Sequence, residues 1–193
     1  SREARLQVSS RAFWALKQQR RQMAGTSGCG LCGVDALEQA LPALPALPGA
    51  TLPPLAHLSG LRERISEQQQ LARHSGALHA ALFIDASGEI RLCREDIGRH
   101  NALDKLAGAV ARAGADPGGA AVPDPGQGAV GMTSRLSVDL VQKTVRLGAP
   151  VLIGAGVPTR LAIAWAEAAG LTLIGRAREG GFDVFTHPHR LEP

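Results

Sequence analysis

The stretch that decides the fold runs from residue 129 to residue 175 and reads "AVGMTSRLSVDLVQKTVRLGAPVLIGAGVPTRLAIAWAEAAGLTLIG". Its short apolar runs, "AVGMT", "VLIGA" and "LTLIG", alternate with the longer stretches "SVDLVQKTVRL" and "TRLAIAWAEAA". Short apolar strands that alternate with helices indicate parallel pairing through right-handed crossovers. We therefore predict an α/β/α layered domain, in which the two helices end at Gly148 and Gly170.

The sequence on either side of this stretch predicts a hairpin, two further helices and a last strand. The runs "ALHAALFID" and "EIRLCRED", separated by the turn "ASG", indicate two antiparallel strands. One helix is predicted over residues 101–113, and apolar residues at helical spacing predict another that begins near Leu58 and ends at Gly76. The last extended run is "FDVFTH". Together these elements predict a three-layer α/β/α sandwich over residues 58–193.

Residues 1–57 have a different pattern, which predicts an N-terminal helical and loop appendage. A basic helix is predicted over residues 5–23, with Ser9 or Ser10 at its N-cap. The segment "LPALPALPG", residues 41–49, has a proline at every third position. This spacing excludes a helix and indicates a semi-rigid, polyproline-like spacer between the appendage and the sandwich.

The composition limits the class of protein and of partner. The chain has 193 residues, of which 45% are hydrophobic and only 3% aromatic, with a formal net charge of +4. The charge suits an anionic partner, but the scarcity of aromatic rings argues against a nucleic acid bound by base stacking. No apolar run is long enough to cross a bilayer, so a membrane is not expected as a partner. The three cysteines favour a reducing, cytoplasmic location over a disulfide scaffold.

Two of these cysteines lie close together in the glycine-rich stretch "TSGCGLCG", residues 26–33. Cys29 and Cys32 could form half of a zinc site, but Cys93 lies on the predicted hairpin, where a small buried residue is expected. A thioredoxin-type redox pair begins a helix after a strand, whereas here a helix precedes the motif. The remaining possibility is a sulfur carrier. Glycines leave a thiolate accessible, and the neighbouring thiol can release a bound sulfur as sulfide.

The carboxyl ends of the predicted strands form the candidate ligand site, because ligands of layered α/β domains bind there. The loop "GRAREGG", residues 175–181, combines arginines with glycines, as suits a pyrophosphate or a guanine edge. The segment "REDIGRHNALDK", residues 94–105, can bind phosphate through backbone N–H groups and arginine. Solvated surface and helix capping explain these loops almost as well. The candidates in the segment and in the other two loops are Arg99, His100, Thr133, Ser134, Arg135, Pro158 and Thr159.

Several of these segments, in this order, resemble one family. "GCGLCG", "LHAALF", "REDIGRHNALDKLAG", "TSRLSVDLVQKTVRLGAP" with its continuation to "GRAR", and "VFTHPHRL" are similar to segments of the sulfurtransferase accessory proteins of formate dehydrogenase, called FdhD. The resemblance covers about residues 25–191 and implies a cytidine-deaminase-like α/β/α domain. It also implies that Cys29 carries a persulfide and that Cys32 assists. The segment that it assigns to the cofactor comprises Arg176, Ala177, Arg178, Glu179, Gly180 and Gly181.

The resemblance further implies an activity and partners. Members of this family transfer sulfur from a cysteine desulfurase to the molybdenum or tungsten bis-molybdopterin guanine dinucleotide cofactor, which then enters apo-formate dehydrogenase. We therefore expect a cytoplasmic homodimer that binds this cofactor as substrate, with GDP as its mimic and with no structural metal. The zinc signatures of deaminases are absent from the sequence, so no deamination is implied. The alternative function is a non-catalytic chaperone that binds the cofactor for formate dehydrogenase maturation.

Overall fold

The computed structural model describes residues 7–18, 43–48, 60–115, 124–178 and 181–191. The chain forms two compact units, Ser1–Ala43 and Leu44–Pro193. In the first unit, helix α1 spans Ser10–Gln18. The N–H of Ala12 donates a hydrogen bond to Ser9 Oγ at 3.2 Å, which confirms Ser9 as the cap of this basic helix.

The second unit contains a six-stranded sheet in the order β2-β1-β3-β4-β5-β6. Strands β3, β4 and β5 pair in parallel, as the alternating pattern predicts. Strand β1 is antiparallel to both β2 and β3, and β6 is antiparallel to β5. The strand bounds are β1 His79–Ile84, β2 Ile90–Asp96, β3 Ala129–Met132, β4 Val151–Gly154, β5 Thr172–Arg178 and β6 Gly181–Val184.

The helices of this unit are α2 Leu61–Gln68, α3 Ala72–Ser75, α4 Arg99–Ala115, α5 Val138–Leu147 and α6 Arg160–Ala169, with short 3₁₀ turns at Pro125–Gln127 and Pro188–Arg190. Gly148 and Gly170 end α5 and α6 with φ of 87° and 72°, as predicted. No helix in the described ranges is long and apolar enough to cross a membrane.

The predicted helix end at Gly76 is confirmed, because Gly76 has φ of 68° and ends α3. The prediction of one continuous helix up to that point is wrong, because α2 and α3 are separate. Gln69 has an extended backbone, with φ of −79° and ψ of 90°, which ends α2. The Glu95 carboxylate of β2 then accepts hydrogen bonds from the N–H groups of Leu71 and Ala72, at 2.8 and 2.9 Å. These bonds satisfy N–H groups at the start of α3, so a contact distant in sequence stabilises the break.

Side chains of the sheet alternate between two faces, and each face has its own core. Leu152 packs with α4, α5 and α6 on one face, together with residues such as Leu106 and Val141. Ile153 packs on the other face with Leu61 of α2. This period of two places the sheet between a layer of three helices and a layer formed by α2, which confirms the α/β class with helices around one sheet.

Part of the predicted spacer belongs to the packed unit. The N–H of Leu47 donates to the carbonyl of Ala169 at 2.9 Å, and the Leu47 side chain is only 9% exposed. Leu44 also packs against the larger core. The second unit begins at Leu44, inside the predicted spacer. The leucines between the prolines are apolar enough to be buried against α6.

Candidate functional site

The strand directions gather the candidate residues at one edge of the sheet. Strands β2, β3, β4 and β5 all run the same way, so their carboxyl ends lie along this edge with the first residue of β1, His79. Helices α4, α5 and α6 follow β2, β3 and β4 and therefore begin there. Two cavities open at this edge, and Thr133 and Ala155 line both of them.

The smaller of the two cavities, which we call the basic cavity, has a volume of about 450 Å³. Arg99 lies at the first position of α4, and its Nε is buried without a hydrogen-bond partner within the described part of the chain. Two guanidinium groups beside the N-terminus of a long helix favour an anion such as phosphate. The cavity is lined by His79, Arg99, Thr133, Ser134, Arg135, Ala155 and Gly156.

The loop after β3 is held by a hydrogen bond from β1 and by another within the loop. Thr133 Oγ1 accepts from the N–H of Ala80 at 2.9 Å, and Ser134 Oγ donates to the carbonyl of Arg135 at 3.1 Å. A Cβ on Gly156 would lie 2.8 Å from the Cα of Arg135. Glycine at this position therefore lets the loops after β3 and β4 approach closely enough to form one wall.

The larger of the two cavities, which we call the apolar cavity, has a volume of about 620 Å³. It lies between α2 and the ends of β3, β4 and β5. Apolar walls with a few polar groups suit a planar heterocycle whose edge forms hydrogen bonds. The apolar side chains that line it are Leu61, Ile65, Met132, Ile153, Ala155 and Ala177, and the polar side chains are Arg62, Ser66, Gln69 and Thr133.

In the hairpin of β5 and β6, the structure describes the side chains of Arg176 and Ala177 within the segment that the resemblance assigns to the cofactor. Arg176 has φ of 52°, its N–H donates to the carbonyl of Gly156 at 3.1 Å, and its exposed guanidinium pairs with Asp183. Ala177 lines the apolar cavity, whereas Arg176 lines neither. The backbone of Arg178 pairs with that of Gly181, which has φ of 153°. The side chain of Arg178, together with Glu179 and Gly180, lies outside the described residues.

Pro158 and Thr159 have structural contacts at this edge and line neither cavity. Pro158 is buried and forms a parallel bridge with Leu136. Thr159 Oγ1 accepts a hydrogen bond from the N–H of Ala162 at 3.2 Å and so caps α6.

His100 is buried behind the basic cavity and does not line it. Its Nε2 contacts the Asp139 carboxylate of α5. Burial lowers the pKa of His100 below its ordinary value, although the Asp139 charge opposes this shift. A neutral, enclosed imidazole can hold two helices together, but it does not face the cavity as a base.

The thiols differ in their positions. Cys29 and Cys32 lie outside the described residues. Cys93 lies half-buried in β2, where burial and the Glu95 carboxylate raise the pKa of its thiol to about 11. Cys93 is therefore protonated at neutral pH and a poor nucleophile, in agreement with its predicted packing role.

The sequence interpretation missed several cavity residues. His79 reaches the edge because β1 is inserted between β2 and β3, a pairing that no local pattern indicates. Arg62 and Gln69 line the apolar cavity because α2 covers that face of the sheet. The helical periodicity around Leu61 was the available signal for α2, but it does not indicate which face the helix covers.

The fold and the site together define a mixed α/β domain with a basic cavity and an apolar cavity at one edge of its sheet. The family model described as FdhD/NarQ family matches residues 1–192, and the chain belongs to this family. This confirms the resemblance seen in the motifs.

Two curated relatives and one solved structure are similar to the chain. "Sulfur carrier protein FdhD" of Cupriavidus necator is 44% identical over 187 residues, which cover 97% of this chain and 62% of the relative. The protein of the same description from Variovorax paradoxus is 47% identical over 188 residues, covering 97% and 64%. A crystal structure from Desulfotalea psychrophila, provisionally described as a formate dehydrogenase accessory protein, is 28% identical, with a TM-score of 0.65 over 77% of this chain and 60% of that one. The chain thus spans less than two thirds of these relatives.

Proposed function

We propose that this protein is a sulfur carrier. It accepts sulfane sulfur from a cysteine desulfurase on Cys29 and delivers it to the molybdenum or tungsten bis-molybdopterin guanine dinucleotide cofactor that serves formate dehydrogenase. The observation that carries this proposal is the similarity, across 97% of the chain, to relatives described as sulfur carriers. The Cys-x-x-Cys motif lies within the matched range. A homodimer stays a prediction of the resemblance.

The thiol chemistry balances in two steps. The Cys29 thiolate attacks the terminal sulfur of the donor persulfide, and the donor cysteine leaves as a thiolate, so that the new persulfide lies on Cys29. At delivery the Cys32 thiolate attacks Cys29 Sγ, and the terminal sulfur leaves as sulfide, which the metal of the substrate accepts. The dithiol is thereby oxidised to a disulfide, and a thiol reductant restores it.

The two cavities suit the nucleotide end of this substrate. The phosphates fit the basic cavity, where Arg99 and Arg135 are available, and the guanine fits the apolar cavity next to it. A charge-assisted hydrogen bond to phosphate contributes roughly 1.5–3 kcal/mol. Ala177 of β5 lines the apolar cavity, and Arg178, Glu179 and Gly180 come directly after it in the sequence. We include these three residues in the nucleotide site on the basis of the resemblance.

Mass spectrometry after incubation with a cysteine desulfurase and cysteine tests this proposal. Trypsin separates the candidate thiols, since Cys29 and Cys32 share the peptide from Gln22 to Arg62 while Cys93 lies between Arg91 and Arg94. We expect a gain of one sulfur on the long peptide, its loss in Cys29→Ala, and its persistence in Cys93→Ala, the matched control.

Two results would contradict the assignment. A full gain of sulfur in Cys29→Ala would remove Cys29 as the carrier. No persulfide in the wild-type protein, together with GDP binding that Cys29→Ala leaves unchanged, would instead indicate the chaperone that only binds the cofactor.

A further inference from the structure

A buried contact joins the first turns of α4 and α5. His100 Nε2 contacts the Asp139 carboxylate, and the two residues are only 9% and 7% exposed. One turn further along both helices, Lys143 Nζ lies 2.7 and 2.6 Å from the two carboxylate oxygens of Asp104. Because residues four apart share one face of a helix, the buried contact and the exposed contact lie side by side between α4 and α5.

The buried contact is close in sequence to both arginines of the basic cavity. Arg99 directly precedes His100 at the start of α4, and Arg135 lies four residues before Asp139 in the loop that leads into α5. The Nε of Arg99 is buried and has no hydrogen-bond partner among the described residues. Among the described residues, no hydrogen bond at that atom holds the guanidinium. We therefore take the start of α4, where Arg99 lies, as the main determinant of its position.

We propose that His100 and Asp139 are positioning residues, whose contact fixes the start of α4 against the start of α5 and thereby sets the spacing of Arg99 and Arg135 for the diphosphate of a nucleotide. This inference rests on the proposed function, which places that diphosphate in the basic cavity. His100 itself does not touch the ligand, since it does not line the cavity.

The charges around His100 agree with this role. The charged groups that act on it are Asp139 and Lys143 of α5 and Arg99 of its own helix. Burial lowers the pKa of His100, so the imidazole is neutral near pH 7 and adds no positive charge to the anion site. Attraction of the anion is thus left to the arginines and the start of α4, and His100 acts through the geometry of Arg99.

A double-mutant cycle tests the coupling. GDP affinity is measured by calorimetry on the full chain for the wild type, Arg99→Gln, His100→Gln and the double variant. We expect Arg99→Gln to weaken binding roughly tenfold or more, as for loss of a charge-assisted bond. His100→Gln should weaken it several-fold when Arg99 is present and hardly at all in Arg99→Gln. A merely structural role would lower the melting temperature but give additive losses of affinity.

Two further variants keep the cycle informative. Lys143→Gln breaks the neighbouring exposed contact with Asp104 and is the matched control. Its affinity for GDP should change little. Asp139→Asn removes the other side of the buried contact and should repeat the non-additivity with Arg99→Gln, which matters if His100→Gln does not fold.

The outcomes separate the inference from the proposed function. Wild-type protein that does not bind GDP, or binding that Arg99→Gln leaves unchanged, would overturn the nucleotide site and the inference with it. Binding that weakens in Arg99→Gln, but with losses from His100→Gln that are additive or absent, would overturn the positioning role alone.

Discussion

Gly156→Ala should disturb the wall of the basic cavity by steric contact alone. The added Cβ would lie 2.8 Å from the Cα of Arg135 and 3.1 Å from both the Arg135 nitrogen and the Ser134 oxygen. An ordinary contact begins at 3.4 Å, so the closest approach is too short by about 0.6 Å. All three atoms belong to the backbone, which cannot move aside as a flexible side chain can, and the loop after β3 must shift.

Overpacking of this kind costs about 1–3 kcal/mol of unfolding free energy. For a chain of this size, each kcal/mol lowers the melting temperature by roughly 2–4 °C. Because the loop carries Arg135, we also expect GDP to bind more weakly. Thermal denaturation and a GDP titration measure the two effects separately.

Gly108→Ala is the matched control for this substitution. Gly108 lies inside α4, and the only atom among the described residues that its added Cβ would approach is the end of the Arg112 side chain, at 3.5 Å. This variant should be unchanged or more stable by up to about 1 kcal/mol, because alanine favours a helix. An unchanged melting temperature and GDP affinity in Gly156→Ala would refute the steric argument.

Three further predictions concern stability. The folded protein holds the pKa of His100 below its ordinary value of 6.5, so the unfolded chain takes up a proton at a higher pH than the folded protein does. The free energy of unfolding therefore decreases as the pH falls below 6.5. Urea denaturation at pH 7.5 and 5.5 should show this decrease, and His100→Gln should make it smaller. Leu47→Ala should cost roughly 2–3 kcal/mol because this side chain is buried, whereas Leu71→Ala, at a residue 58% exposed, should change the urea midpoint little. Burial alone would raise the pKa of Asp85, but hydrogen bonds from Ser87 and Arg91 outweigh it and lower the pKa to about 2. The ionised Asp85 therefore adds to the free energy of unfolding above pH 3.8, and this stabilisation is lost as the pH falls towards 2. In acid denaturation, Asp85→Asn should not show the loss of stability that comes from protonation of Asp85.

The sequence predicts those parts of the fold that depend on local signals. Gly148 and Gly170 end helices because glycine adopts positive φ without strain, and this property is read from one residue. The parallel strands follow from the alternation of apolar runs with helices. The break between α2 and α3 depends on Glu95, more than twenty residues away, and no local pattern contains that contact.

The same distinction between local signals and contacts distant in sequence applies to the candidate site. Thr133, Ser134 and Arg135 lie at the cavities because strand order alone brings them there. His100 shares the motif of Arg99 but is buried against Asp139, a residue of another helix, so spacing in the sequence could not separate a ligand-facing residue from one that packs behind it. Thr159 is an ordinary helix cap, and a hydroxyl before a helix gives the same pattern for either role.

The short helix α2 has a consequence for the apolar cavity. Of its eight residues only Leu61 is fully buried, whereas α5 buries seven of ten. Local opening needs little free energy where few side chains are buried, so the backbone amides of α2 should exchange with deuterium well before those of α5. The apolar cavity is therefore bounded by a helix that opens easily and by a rigid sheet. A wider heterocycle would be accommodated by displacement of α2, while Arg99 on α4 and Arg135 in the loop after β3 stay in place.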